Sequence, residues 1–475
     1  MILKDDEILK KKFQIVICGS GPAGISLALA LEKKKIECLI IEAGDEFYSE
    51  KAQSRYAGEV YGNFPEDLSV LRLSQFGGTT GHWGGTCRTL DDYDFQNWPI
   101  KKSEIDPFLV QSCKILNIPK SFREKNISEN LKIIEFQESE VRFYEKYYEH
   151  IKKSKFINLV LNCIVFNIKM SGNTVTELFL KSTKDISIKT NFMVLACGGI
   201  ENSRLLLWFR ENNKEISKDL PIGNYWMEHP FKKIGSGVGN FKAIRKSFEN
   251  NFESFENFRN WGNFTVSISP TQNLINQKNI LNSAVFLTLH DRNNDSFKNN
   301  IKDLLCVAPS LSNHILDLFN KDLLCGITLS SSWEQNPQLK NKITLSSSKD
   351  FSGIPLTKLN YQLSNLTLNT ANEMVKQIGN YFIDKDLGRL GAYKTIENVS
   401  SFISEAGYHH IGGTIMGNSK KSSVVDKNLK LHNIENLYVC GSSVFPTGGH
   451  ANPTLSIVQL SLRLGEHLIK KLKTI

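Results

Sequence analysis

The segment from Phe13 to Glu42 limits what this chain can fold into more than any other. FQIVIC (13–18) is a short apolar run rich in β-branched residues, followed at once by GSGPAG. ISLALALEKKK continues with a helical pattern, and IECLII (36–41) is a second apolar run that ends at Glu42. Strand, glycine-rich turn, helix and strand in that order open a dinucleotide-binding fold. Gly19, Gly21 and Gly24 stand in G-x-G-x-x-G spacing. The first permits the tight turn, the second lets backbone approach a pyrophosphate, and the third lets helix and strand pack closely. The start of the helix offers free N–H groups and a positive dipole end to phosphates. Glu42 is placed to accept hydrogen bonds from a ribose hydroxyl. The turn alone does not separate NAD from FAD.

With 475 residues the chain is too long for one ordinary core, so two domains are expected. A content of 40% hydrophobic residues excludes a largely disordered chain. The net charge of +9, from 58 basic and 49 acidic residues, is spread along the sequence with no recognition module, which argues against nucleic-acid binding. Nine cysteines show no C-x-x-C pair, and Cys18, Cys197 and Cys440 sit in apolar runs. They read as buried free thiols of a reducing compartment. The first residues lack a secretory h-region and no 18-residue apolar run occurs, so a cytoplasmic protein without a transmembrane segment is expected. No metal site is expected.

Residues 51–118 hold many Gly, Trp and Asp and read as an extended, ligand-contacting segment. Alternation from Leu159 to Lys189 predicts an antiparallel meander, leading into the buried strand MVLACGG (193–199) and a helix over Ser203–Phe209. After His229-Pro230, alternating strands are separated by polar, Phe-rich stretches. They predict an antiparallel-sheet domain over 231–386, inserted into an α/β domain made of 1–230 and 387–475. The stretch Phe241 to Phe264, aromatic in a Lys/Asn background, reads as an irregular edge, with a loop over the pocket as the alternative. PTLSIVQLSLRLGEHLIKKL closes the chain as an amphipathic helix.

Several later segments share one likeness. FGGTTGHWGGTCRTLDDYDF (76–95), VLACGGIENSRLLL (194–207), GNYWMEHP (223–230), NPQLKNKITLSSSKDFSGIP (336–355) and the end block from HHIGGTIMG through GGHANPTLSIVQL follow in order. They resemble the successive signatures of the glucose–methanol–choline (GMC) flavoprotein oxidoreductases. The forms GGTTGHW and HANPTLS are most similar to the pyranose 2-oxidase and sugar dehydrogenase branches. The resemblance implies FAD in a Rossmann-like domain, an inserted substrate domain, and oxidation of a CH–OH group of a sugar or related alcohol.

It also implies roles for residues. An alcohol gives up hydride as its O–H proton leaves, so a base must stand beside the flavin, and histidine is suited to that task. The family's base precedes a Gly-Thr pair by two residues, a register that selects His410. The partner position in the final motif is Asn452, which can orient the substrate oxygen. On an extended segment neighbouring side chains point to opposite faces, so only one of His409 and His410 is expected to address the flavin. His229 reads as structural, and His450 as either packing or a polar lining.

Gly77, Gly78 and Thr79 are expected to line the flavin, Gly198 and Gly199 to approach the adenosine end, and Gly441 and Ser442, beside Cys440, the pyrophosphate. Many members of the family have Asp at the place of Gly441. The histidine matching His82 carries the flavin covalently in the pyranose oxidase branch. Here Gly81 precedes it, so a covalent bond and simple packing both stand. A small-molecule substrate and an unidentified electron acceptor follow, with a dehydrogenase preferred to an oxidase. A flavin-bearing lyase of the same fold and a flavin sensor without turnover are the rivals.

Overall fold

The computed structural model describes residues 1–64, 66–249, 264–290, 326–396 and 405–474, together with 301, 304 and 306. The first strand, β1 (Phe13–Cys18), is buried along nearly its whole length, as its unbroken apolar run requires of a strand covered on both faces. Helix α1 (Pro22–Glu32) starts at the glycine turn with Pro22 at its first position, where a missing N–H costs nothing. Strand β2 (Cys38–Ile41) returns parallel to β1, with Ile17 opposite Ile40.

Around this unit stands a seven-stranded sheet. β3 (Ile157–Val160) pairs parallel with the outer edge of β2, and β4 (Asp185–Leu195) pairs parallel with the inner edge of β1. The strands Ile164–Ser171 and Thr174–Lys181 form an antiparallel meander with β4. The expected meander thus begins at 164, because 157–160 is drawn into the parallel sheet. α2 (Gly198–Asn212) follows β4, and β5 (Leu437–Val439) pairs parallel with β4 from far along the chain. The closing helix α3 (Thr454–Leu472) lies on α1; a Cβ at Gly465 would stand 2.8 Å from the Cβ of Ala30, so glycine permits that approach.

A second, eight-stranded sheet is antiparallel and runs in the order 388–392, 230–239, 327–333, 283–289, 264–270, 131–134 and 124–126, with 405–406 added beside 230–239. The architecture is therefore α/β with a Rossmann-like sheet and a separate antiparallel sheet, as expected. The boundaries of the second sheet differ from expectation. Residues 124–134 come from the stretch assigned to the first domain, and 388–392 and 405–406 from beyond 386. Each is short, and its partner strand is distant in sequence, so local pattern does not say where it pairs.

A buried ion network ties three separate segments together. Glu201 of α2 meets Arg204 at 2.8 Å, Arg72 at 3.2 Å and Arg55 at 3.7 Å, while Asp350 meets Arg204 at 2.7 Å and Arg55 at 3.4 Å. Burial pushes the Glu201 carboxyl up, but Arg204, Arg72 and Arg55 together hold it below its usual value.

Residues Phe241–Glu249 are helical rather than an irregular edge, and 250–263 lie outside the described residues. Cys18, Cys38, Cys87, Cys113, Cys163, Cys197 and Cys440 are free, but Cys306 is disulfide-bonded. This corrects the reading of the cysteines as free thiols, since spacing in sequence does not reveal which two sulfurs meet. No helix of the described residues is long and apolar enough to cross a membrane.

Candidate active site

One cavity runs from the glycine turn after β1 to the loops that carry His410 and Asn452. At its centre two glycine loops meet. The amide of Gly77 donates to the carbonyl of Ser20 at 3.1 Å, and a Cβ at Gly78 would stand 3.1 Å from the Cα of Gly21. Gly19 has φ +103, and a Cβ there would strike the carbonyl of Ala196. A Cβ at Gly24 would collide with the carbonyl of Gly19, which is the close helix-to-strand packing the motif needs. At Gly21 and Gly198 a Cβ would meet nothing within 4 Å, and both residues line the cavity.

Glu42 also lines it. Its Oε2 accepts from the amide of Ser20 at 3.0 Å and from its hydroxyl at 2.7 Å, and Oε1 accepts from the amide of Gly44 at 2.9 Å. Burial raises the Glu42 carboxyl, opposed by the hydrogen bonds of Gly44 and Ser20. Thr79 and His82 line the same space. His82 keeps an exposed side chain, with its imidazole pKa lowered by burial and by Arg142.

The loop that carries His409 and His410 is placed by backbone pairing with a segment distant in sequence. Met227 and Ile411 exchange both backbone hydrogen bonds, at 2.7 and 3.0 Å, and Pro230 pairs with Ala406. Residues 226–229 therefore lie alongside 409–412. His229 Nδ1 stands 3.0 Å from His409 Nδ1, which gives His229 a structural partner as expected. The His410 ring leans on Trp226 with centroids 5.9 Å apart, and its carbonyl accepts from the Ser442 hydroxyl at 2.5 Å. His410 is 9% exposed. Its imidazole is pushed down to about 3, first by burial and then by the Arg72 guanidinium, so it is neutral at working pH.

His409 and His410 both line the cavity. Tyr408 has φ +58 and Gly412 φ +75, so the segment is not the extended run that alternation assumes. Asn452, just before α3, lines the cavity as well, as do Gly199, Gly441 and Ser442. Gly441 has φ +132, a conformation suited to glycine rather than the aspartate common at this place. Gly77 stands behind the lining, where a Cβ would lie 2.6 Å from the amide of Tyr144.

His450 does not reach the cavity lining. It is fully buried, with Nδ1 3.8 Å from an Asp91 carboxylate oxygen and its ring edge-on to Phe136. Asp91, Asp94 and His450 bring one ligand atom each within 4.8 Å of one another. Lys132 at 3.0 Å from Asp91, together with Asn282 donating to Asp94 at 3.0 Å, already occupies those carboxylates.

Three residues were missed from sequence. Arg72 lines the cavity, donates to Glu201, and lies 4.0 Å over the Tyr56 ring, yet its buried Nε and Nη2 have no partner. Asn202 joins the loops after β4 and β5, accepting from the amide of Cys197 at 2.8 Å and donating to the carbonyl of Cys440 at 3.2 Å. Glu228 is the third. None belongs to a spaced pattern; only Glu228 carried a signal, from its place in the E-H-P triplet.

Fold and site together set one cavity between the glycine turn of a Rossmann-like sheet and a histidine-bearing loop that follows a strand of the antiparallel sheet. Residues 337–461 of the chain match the profile described as GMC oxidoreductase. The chain is 25% identical over 347 residues to the fructose dehydrogenase large subunit of Gluconobacter japonicus, covering 70% of this chain and 57% of that subunit. Over 145 residues it is 29% identical to the 2-methyl-1,2-propanediol dehydrogenase of Mycolicibacterium austroafricanum, covering 30% of this chain and 25% of that enzyme. The chain thus spans little more than half the length of the first of these relatives. Pyridoxine 4-oxidase of Mesorbium loti has the same fold, with a TM-score of 0.60 at 14% identity over 97% of this chain and 99% of that one. A formate oxidase of Aspergillus oryzae RIB40 has a TM-score of 0.58 at 15% identity over 98% and 99%.

The group that a match to the GMC oxidoreductase profile implies is FAD. The cavity suits such a group: open space stands where Gly21 and Gly198 would carry a Cβ, and two buried Arg72 donors have no hydrogen-bond partner among the described residues.

Proposed function

We propose that this protein oxidises a CH–OH group of a sugar or related alcohol to a carbonyl with FAD, His410 taking the hydroxyl proton and Asn452 orienting the substrate oxygen. The observation that carries this reading is a neutral, buried imidazole lining the same cavity as Asn452 and the glycine turn. A base must be unprotonated before it can accept a proton, and burial with Arg72 secures that for His410. FAD, when bound, supplies the hydride acceptor at N5.

In this reading the Gly19–Gly24 turn holds the pyrophosphate, Glu42 the ribose, and Gly78, Thr79 and His82 the isoalloxazine, with Gly77 shaping the turn behind them. Gly198, Gly199, Gly441 and Ser442 close the nucleotide side, and Arg72 adds two charged donors to it. His82 either bonds the flavin covalently or packs beside it. Relatives named as fructose and diol dehydrogenases support a sugar or related alcohol as substrate. Residues 1–230 and 387–475, less the strands given over to the second sheet, form the cofactor domain, and the second sheet forms the substrate domain.

The test is anaerobic mixing of purified, FAD-loaded protein with a panel of sugars and alcohols. Bleaching of the flavin absorbance with at least one member is expected. A flavin that stays oxidised with every member, while dithionite still reduces it, overturns the reading.

A further inference from the structure

Behind His410 lies a carboxyl group that the proposed reaction does not use. Glu228 is 1% exposed. One of its oxygens, Oε1, accepts from the amides of His229 at 3.1 Å and His409 at 2.6 Å, and its own amide donates to Gln335 Oε1 at 3.0 Å. The other oxygen, Oε2, is buried without a partner, as is His410 Nε2, and the two stand 3.9 Å apart. Two buried polar atoms without partners are costly, and at 3.9 Å, beyond hydrogen-bond length, a shared proton requires them to close by about 1 Å. The backbone exchange between Met227 and Ile411 holds both residues in this register.

We propose that Glu228 is the positioning residue and proton store of His410, fixing its ring N–H on Nε2 and receiving that proton when the alcohol's proton arrives on Nδ1. This rests on the alcohol-oxidising reading of the site. The step balances: the alcohol loses its O–H proton to Nδ1 and its carbon-bound hydride to FAD, while the Nε2–H bond breaks and an O–H bond forms on Glu228. His410 is then again neutral, with its proton on Nδ1. A lasting imidazolium is avoided in a pocket where Arg72 already disfavours positive charge.

The store works only while the carboxyl is ionised. Burial pushes Glu228 up to about 8, offset in part by the amides of His409 and His229. Below that pH the protonated carboxyl donates to Nε2, the ring N–H moves to Nδ1, and the face toward substrate loses its lone pair. The other groups facing the pair do not titrate in that range. His409 and His229 are held neutral by burial, Arg72 stays charged, and buried Tyr361 is pushed well up. Exposed Tyr408 is also raised.

The variant Glu228→Gln keeps an oxygen for the two amides but turns an NH₂ group toward Nε2. With FAD bound and thermal midpoint near wild type, it should reduce its flavin about 10²-fold more slowly in single-turnover mixing. The wild-type rate should rise with pH through about 8, and Glu228→Gln should lose that rise. Glu228→Asp, which keeps the acid on a shorter stem, should retain it. Independently of turnover, ¹⁵N shifts of His410 should place its proton on Nε2 in wild type above pH 8 and on Nδ1 in Glu228→Gln. The same tautomer in both, or an unchanged pH rise in Glu228→Gln, overturns the proposal. Failure of wild type to be reduced by any alcohol would instead overturn the parent reading, which the tautomer measurement does not need.

Discussion

The main chain of His410 fills the space that a side chain at Gly199 would need. A Cβ at 199 would strike the His410 carbonyl and stand 2.6 Å from its Cβ. The same carbonyl accepts from Ser442, so the histidine loop is clamped between the start of α2 and the turn after β5. Gly199→Ala should therefore push the loop off α2. Overpacking of this kind costs ~1–3 kcal/mol, whereas a displacement of about 1 Å can cost on the order of 10²-fold in rate. The expected outcome is a modest drop in thermal midpoint with a far larger loss in flavin reduction. A variant that reduces its flavin at the wild-type rate would show that the clamp does not position His410.

Gly21 is the converse case, a glycine whose missing side chain faces only the cavity. Gly21→Val should leave the apoprotein folded, because no protein atom lies within 4 Å of the new Cβ, but should obstruct the cofactor. Far-UV circular dichroism unchanged from wild type, with FAD retention on desalting reduced at least tenfold, is the expected result. Equal retention in both proteins would place the dinucleotide elsewhere.

How much of this was legible in sequence varies with the range of the interactions. Strand, turn, helix and Glu42 were readable because each feature is decided within a few residues of itself. The partners of 124–134 and 388–392 were not, because a strand's pattern shows its buried face but not which distant edge it joins. Motif register pointed to His410 and Asn452, and both line the cavity, yet the left-handed Tyr408 beside His409, which lines it too, left no mark beyond a tyrosine. Arg72 and Glu228 are lone charged residues whose importance lies in what they face, and only the folded chain reveals that.

His410 and His409 share the cavity, but their nitrogens are differently engaged. His409 Nδ1 is tied to His229, whereas His410 Nε2 faces Glu228. His410→Ala should slow flavin reduction by roughly 10²–10⁴-fold while FAD stays bound, as loss of a general base does. Asn452→Ala should lose less and His409→Ala least, since one orients and the other braces. Stopped-flow reduction of all three decides the order; a larger loss in His409→Ala than in His410→Ala would move the base by one residue.

His450 should leave a signature in stability rather than rate. Burial, opposed by Asp91 and aided by Arg88 and Lys132, pushes its imidazole down to about 3 from an ordinary 6.5. The unfolded chain therefore binds a proton here between pH 6.5 and 3 that the native chain refuses, so stability falls as pH falls through that window. By pH 4.5 the deficit is about 2–3 kcal/mol. His450→Gln binds no proton in either state. Denaturant unfolding should show the variant gaining on wild type by about that amount between pH 7.5 and 4.5, whatever its standing at neutral pH. A pH-independent difference would mean that His450 titrates normally in the fold.

The flavin attachment can be decided on a single peptide. His82 lines the cavity just after the loop in which Gly77 and Gly78 both have positive φ, at +84 and +56, and Gly78 meets Gly21 in backbone contact. Such a turn lets main chain approach an aromatic ring closely, and the imidazole that follows lines the same cavity. Burial and Arg142 lower its pKa, so a neutral nitrogen is available as nucleophile. Bond formation further requires that nitrogen to stand at the flavin 8α-carbon, and Gly81 before it, at the end of the turn Gly78–Gly81, leaves the bond and simple packing both open. Acid precipitation of fresh protein should leave yellow colour in the pellet, and the tryptic peptide bearing His82 should carry a flavin-sized mass increment. His82→Ala should then release its flavin wholly to the supernatant. Colourless pellets from wild type, with an unmodified His82 peptide, exclude the bond and leave His82 as a residue that packs beside the ring.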